Sequence, residues 1–465
     1  MTDHIEVRKR TYHDSVRLMR ASSVVQAVGG VESALIAMAT TLNTQLLSDL
    51  GFDVPGDATP DDMVVAIRAH DESAVAAALT ALEAALRVPP AETGGAMDPP
   101  PPRLVSRAAE RADLDLALIS VPGEHAYVVA ADALQAGLHV MIFSDNVSIR
   151  DEIDLKRRAA AAGLLVMGPD CGTAIVGGVG LGFANAVTPG PVGIAGASGT
   201  GIQQACCLLD EAGAGVRHAL GTGSRDLSSD VGGASTLQAL AALDRDPGTE
   251  VILIVSKPPA PEVAAAVRAA AAAASTPTVF SLIGEETLEA GVASTLRTLG
   301  IEPPEAASWP VDTAPRPGSL IGLFSGGTLR DEAQMVLRTE LGAAADGFEM
   351  LDLGDDRYTR GRPHPMIDQR IRLEHISAST ANRGLGILLL DVVLGYGSHP
   401  DPASELGPPI ADAVGAGMAV VVSLCGTSSD PQGRDRQART LHDAGASVFS
   451  SNAAAARAAA RLVGA

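Results

Sequence analysis

Aromatic residues are scarce in this 465-residue chain, at 3% of positions with a single tryptophan. Rings therefore cannot fill its interior, and alanine-rich helices must pack in their place. The hydrophobic share is nevertheless 46%, enough for about three domains of ordinary size. Positive charge is also short. Lys and Arg number 34 against 55 Asp and Glu, for a net charge of −21. That balance argues against nucleic acid or an anionic membrane as partner, because clustered Lys and Arg hold phosphate arrays. Cysteine is limited to Cys171, Cys206, Cys207 and Cys425, none at metal-ligand spacing. We expect no metal site, and reduced thiols in a cytoplasmic protein. No apolar run approaches the ~20 residues that span a bilayer, and the first residues are charged, unlike a signal peptide.

Glycine, by contrast, is plentiful, and its placement is informative. Residues 192–197 form an apolar strand that runs into Ser198-Gly199-Thr200-Gly201 and then a helical stretch. Residues 320–324 do the same into Ser325-Gly326-Gly327-Thr328. A helix start carries unsatisfied N–H groups and the positive end of the macrodipole, so it attracts phosphate or carboxylate. Ser and Thr also serve as plain helix caps. Two such turns in equivalent places predict paired helix ends facing one anionic group.

The equivalence continues along the chain. Strand ends at 221–226, 251–259 and 278–284 are answered by 351–356, 387–398 and 420–426. Four strand-plus-loop blocks in one order predict two copies of an alternating β/α domain. In such sheets the loops after strand C-termini line the ligand crevice. The organisation expected is a small N-terminal α/β domain (1–88), a Pro/Gly linker (89–103), and a Rossmann-like domain (104–188). A first repeat (189–303), a Pro-rich linker (304–317) and a second repeat (318–465) follow. Within the first domain, strands are expected at 5–9, 24–28 and 63–67, with helices near 15–19, 44–50 and 72–86.

Residues 166–172 read Val-Met-Gly-Pro-Asp-Cys-Gly and 350–355 read Met-Leu-Asp-Leu-Gly-Asp. They resemble the Gly-Pro-Asn-Cys-Pro-Gly and Phe-Leu-Asp-Val-Gly-Gly segments of succinyl-CoA synthetase α and β subunits. The resemblance covers 104–300 for α and 320–465 for β. It implies an α/β fold with a Rossmann-like CoA-binding-type domain followed by two flavodoxin-like succinyl-CoA-synthetase-type domains. Over the whole length the chain is most similar to the FdrA group, through FSDNVSIRDEI, GLLVMGPDCGT, GASGTGIQ, DLGDDRYTRGRPHPMID and LLLDVVLGYG.

Three departures limit what that resemblance carries. Where the synthetases have a phosphorylated histidine in Gly-His-Ala-Gly, residues 283–288 read Ile-Gly-Glu-Glu-Thr-Leu. Residues 1–115 offer no Gly-rich CoA loop, and no ATP-grasp region is present. The FdrA resemblance instead implies a carbamoyltransferase subunit, working with further subunits or as a homo-oligomer in purine and allantoin breakdown. It would interconvert oxalurate plus phosphate with oxamate plus carbamoyl phosphate, with no cofactor. The alternative is an acyl-CoA synthetase subunit that needs a partner for nucleotide binding. A third reading is a non-catalytic anion-binding scaffold.

Candidate residues follow. Ser198, Gly199, Thr200, Gly201, Gly326, Gly327 and Thr328 would hold phosphate. His364 sits in Arg362-Pro363-His364-Pro365, a rigid loop downstream of a strand end. It is a candidate acid/base or carbonyl-polarising residue, with Arg362 as a fork for carboxylate or phosphate. Arg225 is a third catalytic candidate. Asp226, Asp170, Cys171, Gly354 and Asp355 are expected to line the substrate site. Lys257, at a strand end, would neutralise substrate or merely terminate the strand. Cys171 as a nucleophile would need a base that spacing does not reveal.

Overall fold

The computed structural model describes residues 1–13, 15–87, 101–316, 318–359, 362–382 and 384–463. Most of the 89–103 linker lies outside them. Two compact units result, one comprising Met1–Pro101 with Asp356–Pro363, the other Pro102–Asp355 with His364–Ala465.

The N-terminal unit is an antiparallel sheet in which Met63–Ala69 lies between Thr2–Arg8 and Val31–Met38. Every residue of the central strand but Arg68 is buried, as expected of a strand covered on both faces. Leu18, Val25, Ile36, Val65, Ile67 and Leu82 form the core beneath helices Ser15–Gln26 and Glu72–Leu86. Leu47 and Phe52 cover Val64 and Ala66 on the other face. The expected strand at 24–28 is a misreading. Its first residues end the helix Ser15–Gln26, and the strand is Val31–Met38, because Ala21 and Val25 continue the buried helical stripe begun by Leu18.

In the larger unit, three short parallel strands come first, Leu116–Ile119, His139–Ile142 and Val166–Met167. Helices Gly123–Gln135 and Ile149–Ala162 connect them. The hairpin Thr173–Val176/Val179–Gly182 does not extend this sheet. It joins the next one by pairing Ile175 with Ala219, so the 188 boundary cuts through that sheet's own chain.

The two repeat sheets share one strand order. In the first, the parallel strands run Thr278–Leu282, Val251–Ser256, Val192–Ala197, Val216–Gly221. In the second, they run Ala419–Cys425, Leu385–Val393, Ser319–Phe324, Glu349–Asp352, with Ser447–Phe449 beyond the first of these. Ser308–Trp309, expected to be linker, adds an antiparallel edge strand by pairing with that last strand.

One apolar core joins both repeats. Helices Gly199–Glu211, Leu288–Thr298, Gly327–Leu341 and Asn452–Val463 contribute Ile202, Leu209, Val292, Leu329, Val336 and a run of buried alanines. Alanine permits this close approach at little entropic cost, which accounts for a core with so few rings. No helix among the described residues is long and apolar enough to cross a membrane.

Candidate functional site

The two helix starts meet. Ser198 is extended and its Oγ accepts from Gly201 N–H at 2.9 Å, capping the helix Gly199–Glu211. The same hydroxyl donates to Thr328 Oγ1 at 2.6 Å, across from one repeat to the other. A Cβ on Gly326 would fall 2.5 Å from the Thr200 side chain, so glycine there is what lets the starts touch. Helix geometry leaves the first amides of each helix, Gly199 and Thr200 on one side and Gly327 and Thr328 on the other, without intrahelical acceptors. A Cβ on Gly199 would meet only Thr173 Oγ1, at 3.6 Å, so the outer side of the first start is open.

The second start carries its own anion. Ser325 N–H donates to both oxygens of Asp391 at 2.8 and 3.0 Å, Ser325 Oγ–H to Oδ1 at 2.9 Å, and Gly326 N–H to Oδ2 at 3.1 Å. Asp391 is fully buried in the strand Leu385–Val393. Arg372, buried in the helix Arg370–Ala381, pairs with its carboxylate at 3.4 Å and donates to its backbone carbonyl. Burial raises the Asp391 pKa and lowers that of Arg372, and each opposes the other's shift. Ser325 and Gly326 are thus committed internally, and an external anion is left the amides of Gly327 and Thr328.

Around Gly327 the charges gather. A Cβ there would collide with the Asp352 carboxylate and lie 2.7 Å from Lys257 Nζ. Burial raises the Asp352 pKa, while the Lys257 charge and the Gly354 N–H bond at 3.1 Å pull it back. His364 completes the group. A Cβ on Gly354 would fall 2.5 Å from the Ser325 carbonyl and 2.6 Å from His364 Nε2. Its Nδ1 accepts from Met366 N–H at 3.2 Å, so the neutral ring carries its proton on Nε2. Burial, with the Arg372 charge adding to it, pushes its pKa down to about 4. At neutral pH His364 is an uncharged Nε2–H donor. It is suited to polarising a carbonyl oxygen and unsuited to delivering a charge.

Other expected residues lie elsewhere or are otherwise engaged. Asp226 is fully buried and spent on Lys156 Nζ at 2.7 Å and on Ser235 N–H, Thr236 N–H and Thr236 Oγ1–H, which cap the helix Ala234–Arg245. Arg225 bonds Glu152 at 2.9 Å and the Val147 carbonyl at 2.8 Å. Together with the Lys156–Glu152 pair at 2.8 Å, these form a structural network, buried at Asp226, Lys156 and Glu152 and exposed at Arg225, in which the charges are already paired. Cys171 is buried, its thiol pushed up to about 12 by burial, which removes it as a nucleophile. Asp170 N–H donates to the Ser144 carbonyl at 3.0 Å in a left-handed turn. Asp355 is exposed beside Gly354. Arg362 is exposed and belongs to the segment that goes with the N-terminal unit, so it and His364 are not parts of one unit.

Sequence reasoning missed Asp391 and Arg372. One signal was available: Asp391 is the lone charge in the apolar run 385–394, and a charge in a buried strand needs a partner. Arg372, on a helix with no clear apolar stripe, gave none.

Comparison with known proteins adds the following. Residues 1–100 match the AllF heavy metal-associated domain, 187–282 a CoA binding domain and 323–462 a CoA-ligase domain. The CoA-binding match falls on the first repeat rather than on 104–188. The chain is 34% identical to the uncharacterized protein YahF of Escherichia coli over 97% of both chains. It is 27% identical to the succinate–CoA ligase α subunit of Methanothermobacter thermautotrophicus over 33% of this chain and 52% of that one, so it spans about half of that relative. A dinucleotide-forming acetyl-coenzyme A synthetase from Ca. Korarchaeum cryptofilum, solved with phosphate and ADP, is 17% identical with a TM-score of 0.33, covering 77% and 84% of the two chains. A heavy-metal site does not fit the N-terminal unit. Residues 1–100 contain no cysteine, and no group of three or more His, Cys, Asp or Glu that could hold a metal occurs among the described residues.

Proposed function

We propose a function from one premise: the chain belongs to the AllF-type family of succinyl-CoA-synthetase-like proteins, the family of YahF. On our reading it is the acyl-phosphate-handling subunit of an acid–thiol ligase, with nucleotide binding supplied by a partner subunit. The observation that carries this reading is the contact of two helix starts, Ser198 to Thr328 at 2.6 Å, inside a CoA-ligase-type fold.

The chemistry is acyl transfer from an acyl phosphate to a thiol. A thiolate attacks the acyl carbonyl, the C–O bond to phosphate breaks, and phosphate leaves with the electron pair as the thioester forms. Charge develops on the departing phosphate, where the amides of Gly199, Thr200, Gly327 and Thr328 and the Lys257 ammonium would receive it. His364 Nε2–H would hold the carbonyl oxygen as a neutral donor.

A second reading is favoured by one specific feature. Residues 283–288 contain no histidine; burial, and after it like-charged Glu285, raises the Glu286 pKa, but neither carboxylate replaces an imidazole. A chain without that relay would suit transfer of a carbamoyl group from carbamoyl phosphate to oxamate, where the same C–O bond to phosphate breaks and the amide nitrogen of oxamate is the acceptor, losing a proton as the new C–N bond forms.

The test is to supply the purified chain, with and without its partner subunits, with succinyl phosphate plus CoA, or with carbamoyl phosphate plus oxamate. Phosphate release and product are measured. Thioester formation supports the first reading and oxalurate formation the second. Phosphate binding without turnover in any combination leaves only an anion-binding scaffold. In whichever reaction proceeds, His364→Ala is expected to lower turnover about 10²–10³-fold, the usual loss for one such donor.

A further inference from the structure

We propose that Arg372 is the positioning residue of this site: one buried guanidinium that orders the second helix start through Asp391 and presents His364 to it as a neutral donor. The inference rests on the acyl-phosphate reading for its purpose, but its geometry stands apart from that reading.

Arg372 is 1% exposed and among the largest fully buried side chains described. A cation is rarely buried without cause, because its desolvation cost must be met by a partner. Asp391 meets part of it, through both carboxylate and backbone carbonyl. Arg372 Nε, however, is buried without a hydrogen-bond partner, so the pair is not closed for its own stability. Asp391 is in turn the acceptor for every internal donor of the Ser325–Gly326 turn. A displaced Arg372 would loosen that turn and the orientation of the Gly327 and Thr328 amides beyond it.

The loop that carries His364 runs directly into the helix that carries Arg372. Asp368 N–H donates to the His364 carbonyl at 3.1 Å, and Gln369 Nε2 to the Pro365 carbonyl at 2.9 Å. Against the imidazole lie the Phe183 ring, centroids 6.1 Å apart, and the Gly354 backbone at Nε2, with the Arg372 charge on the helix that follows; Asp391 reaches the group through Arg372 and Ser325, and Asp352 and Lys257 stand about the turns at Gly354 and Gly327. Burial is the first cause of the ring's lowered pKa, and the Arg372 charge adds to it. Protonated, His364 would offer a second positive charge beside a buried one; neutral, it offers only a hydrogen bond. The arrangement keeps the donor without the charge.

The experiment titrates the histidine ring resonances of the full chain by NMR, with His364 assigned from the His364→Ala variant. Arg372→Met leaves Asp391 buried and unpaired, so the double variant Arg372→Met/Asp391→Asn is measured with it to keep a folded sample. Arg372→Lys and Asp391→Asn complete the set. In the double variant the His364 midpoint should rise above about 4 by the part that the Arg372 charge contributes, while burial keeps it below the ordinary imidazole value; Asp391→Asn and Arg372→Lys should leave it at the wild-type position. Calorimetry with inorganic phosphate should show several-fold weaker binding in every Arg372 variant. A folded double variant whose His364 midpoint stays at the wild-type value would overturn the proposal, as would wild-type phosphate affinity in Arg372→Lys. If wild-type protein binds no phosphate, the acyl-phosphate reading fails and the His364 titration alone decides the role of Arg372.

Discussion

The helix starts at Ser198 and Ser325 have nearly the same sequence and are held by different means. Ser198 caps its own helix three residues on and reaches Thr328 with the same hydroxyl. Ser325 caps nothing locally. Its amide and hydroxyl, with the Gly326 amide, all turn to Asp391 on the neighbouring strand. The first start is stabilised by neutral hydrogen bonds and stays open on its outer side at Gly199. The second is stabilised by a buried charge that is itself balanced by Arg372. A helix N-terminus attracts an anion. In this protein one start has an internal anion and the other does not, so the place left for an external anion lies on the first start and on the outer amides of the second.

Removing that internal anion should have the largest effect. Asp391→Ala would leave Arg372 buried and unpaired and strip the Ser325 turn of its acceptor. We expect a loss of about 3–5 kcal/mol in chemical denaturation. A loss no greater than that of an ordinary cap would mean that the two starts are held alike.

The contrast extends into the helices. Gln204 and Glu332 occupy equivalent positions and both are fully buried. Gln204 donates to the Ser450 carbonyl at 2.9 Å. Glu332 accepts from Leu288 N–H at 2.6 Å and Asn452 Nδ2 at 2.7 Å, so each joins its helix to the start of another. Burial raises Glu332 to about 7. Its folded pKa therefore exceeds its unfolded one, and between about pH 4.5 and 7 the folded state keeps a proton that the unfolded state has lost. Stability falls as pH rises through that window, by about 3 kcal/mol in total from this group. Glu332→Gln, which makes the second helix resemble the first, should remove that slope. Urea unfolding at intervals from pH 4 to 8 measures the difference, and parallel curves for variant and wild type would refute the assignment.

Much of this arrangement was legible, and the reason divides cleanly. The Ser-Gly-Thr turns, the four-block order and the helix Glu72–Leu86 are written in local pattern, and the shared strand order follows from repeating it. Asp391 and Arg372 lie 66 and 47 residues beyond Ser325 in sequence, and nothing local ties them to its turn. Asp226 and Arg225 misled for a related reason. A Gly-rich strand end with charge resembles a ligand loop, but Lys156 and Glu152, which consume those charges, come from a helix some 70 residues earlier. The Thr173–Gly182 hairpin was missed because neither of its short strands shows a period.

Smaller effects should separate the two glycines at which the starts differ. Gly326→Ala would drive a methyl into Thr200 at 2.5 Å and should cost about 1–3 kcal/mol. Gly199→Ala meets only an ordinary contact, Thr173 Oγ1 at 3.6 Å, and should change stability by less than about 0.5 kcal/mol, while weakening phosphate binding if the anion lies against it. Equal costs at both positions would show that the starts do not touch as described.

The smallest coupling energy expected tests the contact itself. Ser198→Ala removes both the cap on Gly201 and the bond to Thr328, and a lost cap alone costs about 1 kcal/mol. Thr328→Val keeps the shape of its partner and removes only the hydroxyl. A double-mutant cycle between them isolates the cross-repeat bond from the cap, because the cap survives in Thr328→Val and is absent from both Ser198→Ala proteins. A neutral buried hydrogen bond of this kind should couple by about 0.5–1.5 kcal/mol. Additive losses would mean that the repeats meet through packing at Gly326 alone, with the hydroxyls merely adjacent. A measured coupling would tie the open start to the one that carries its own anion.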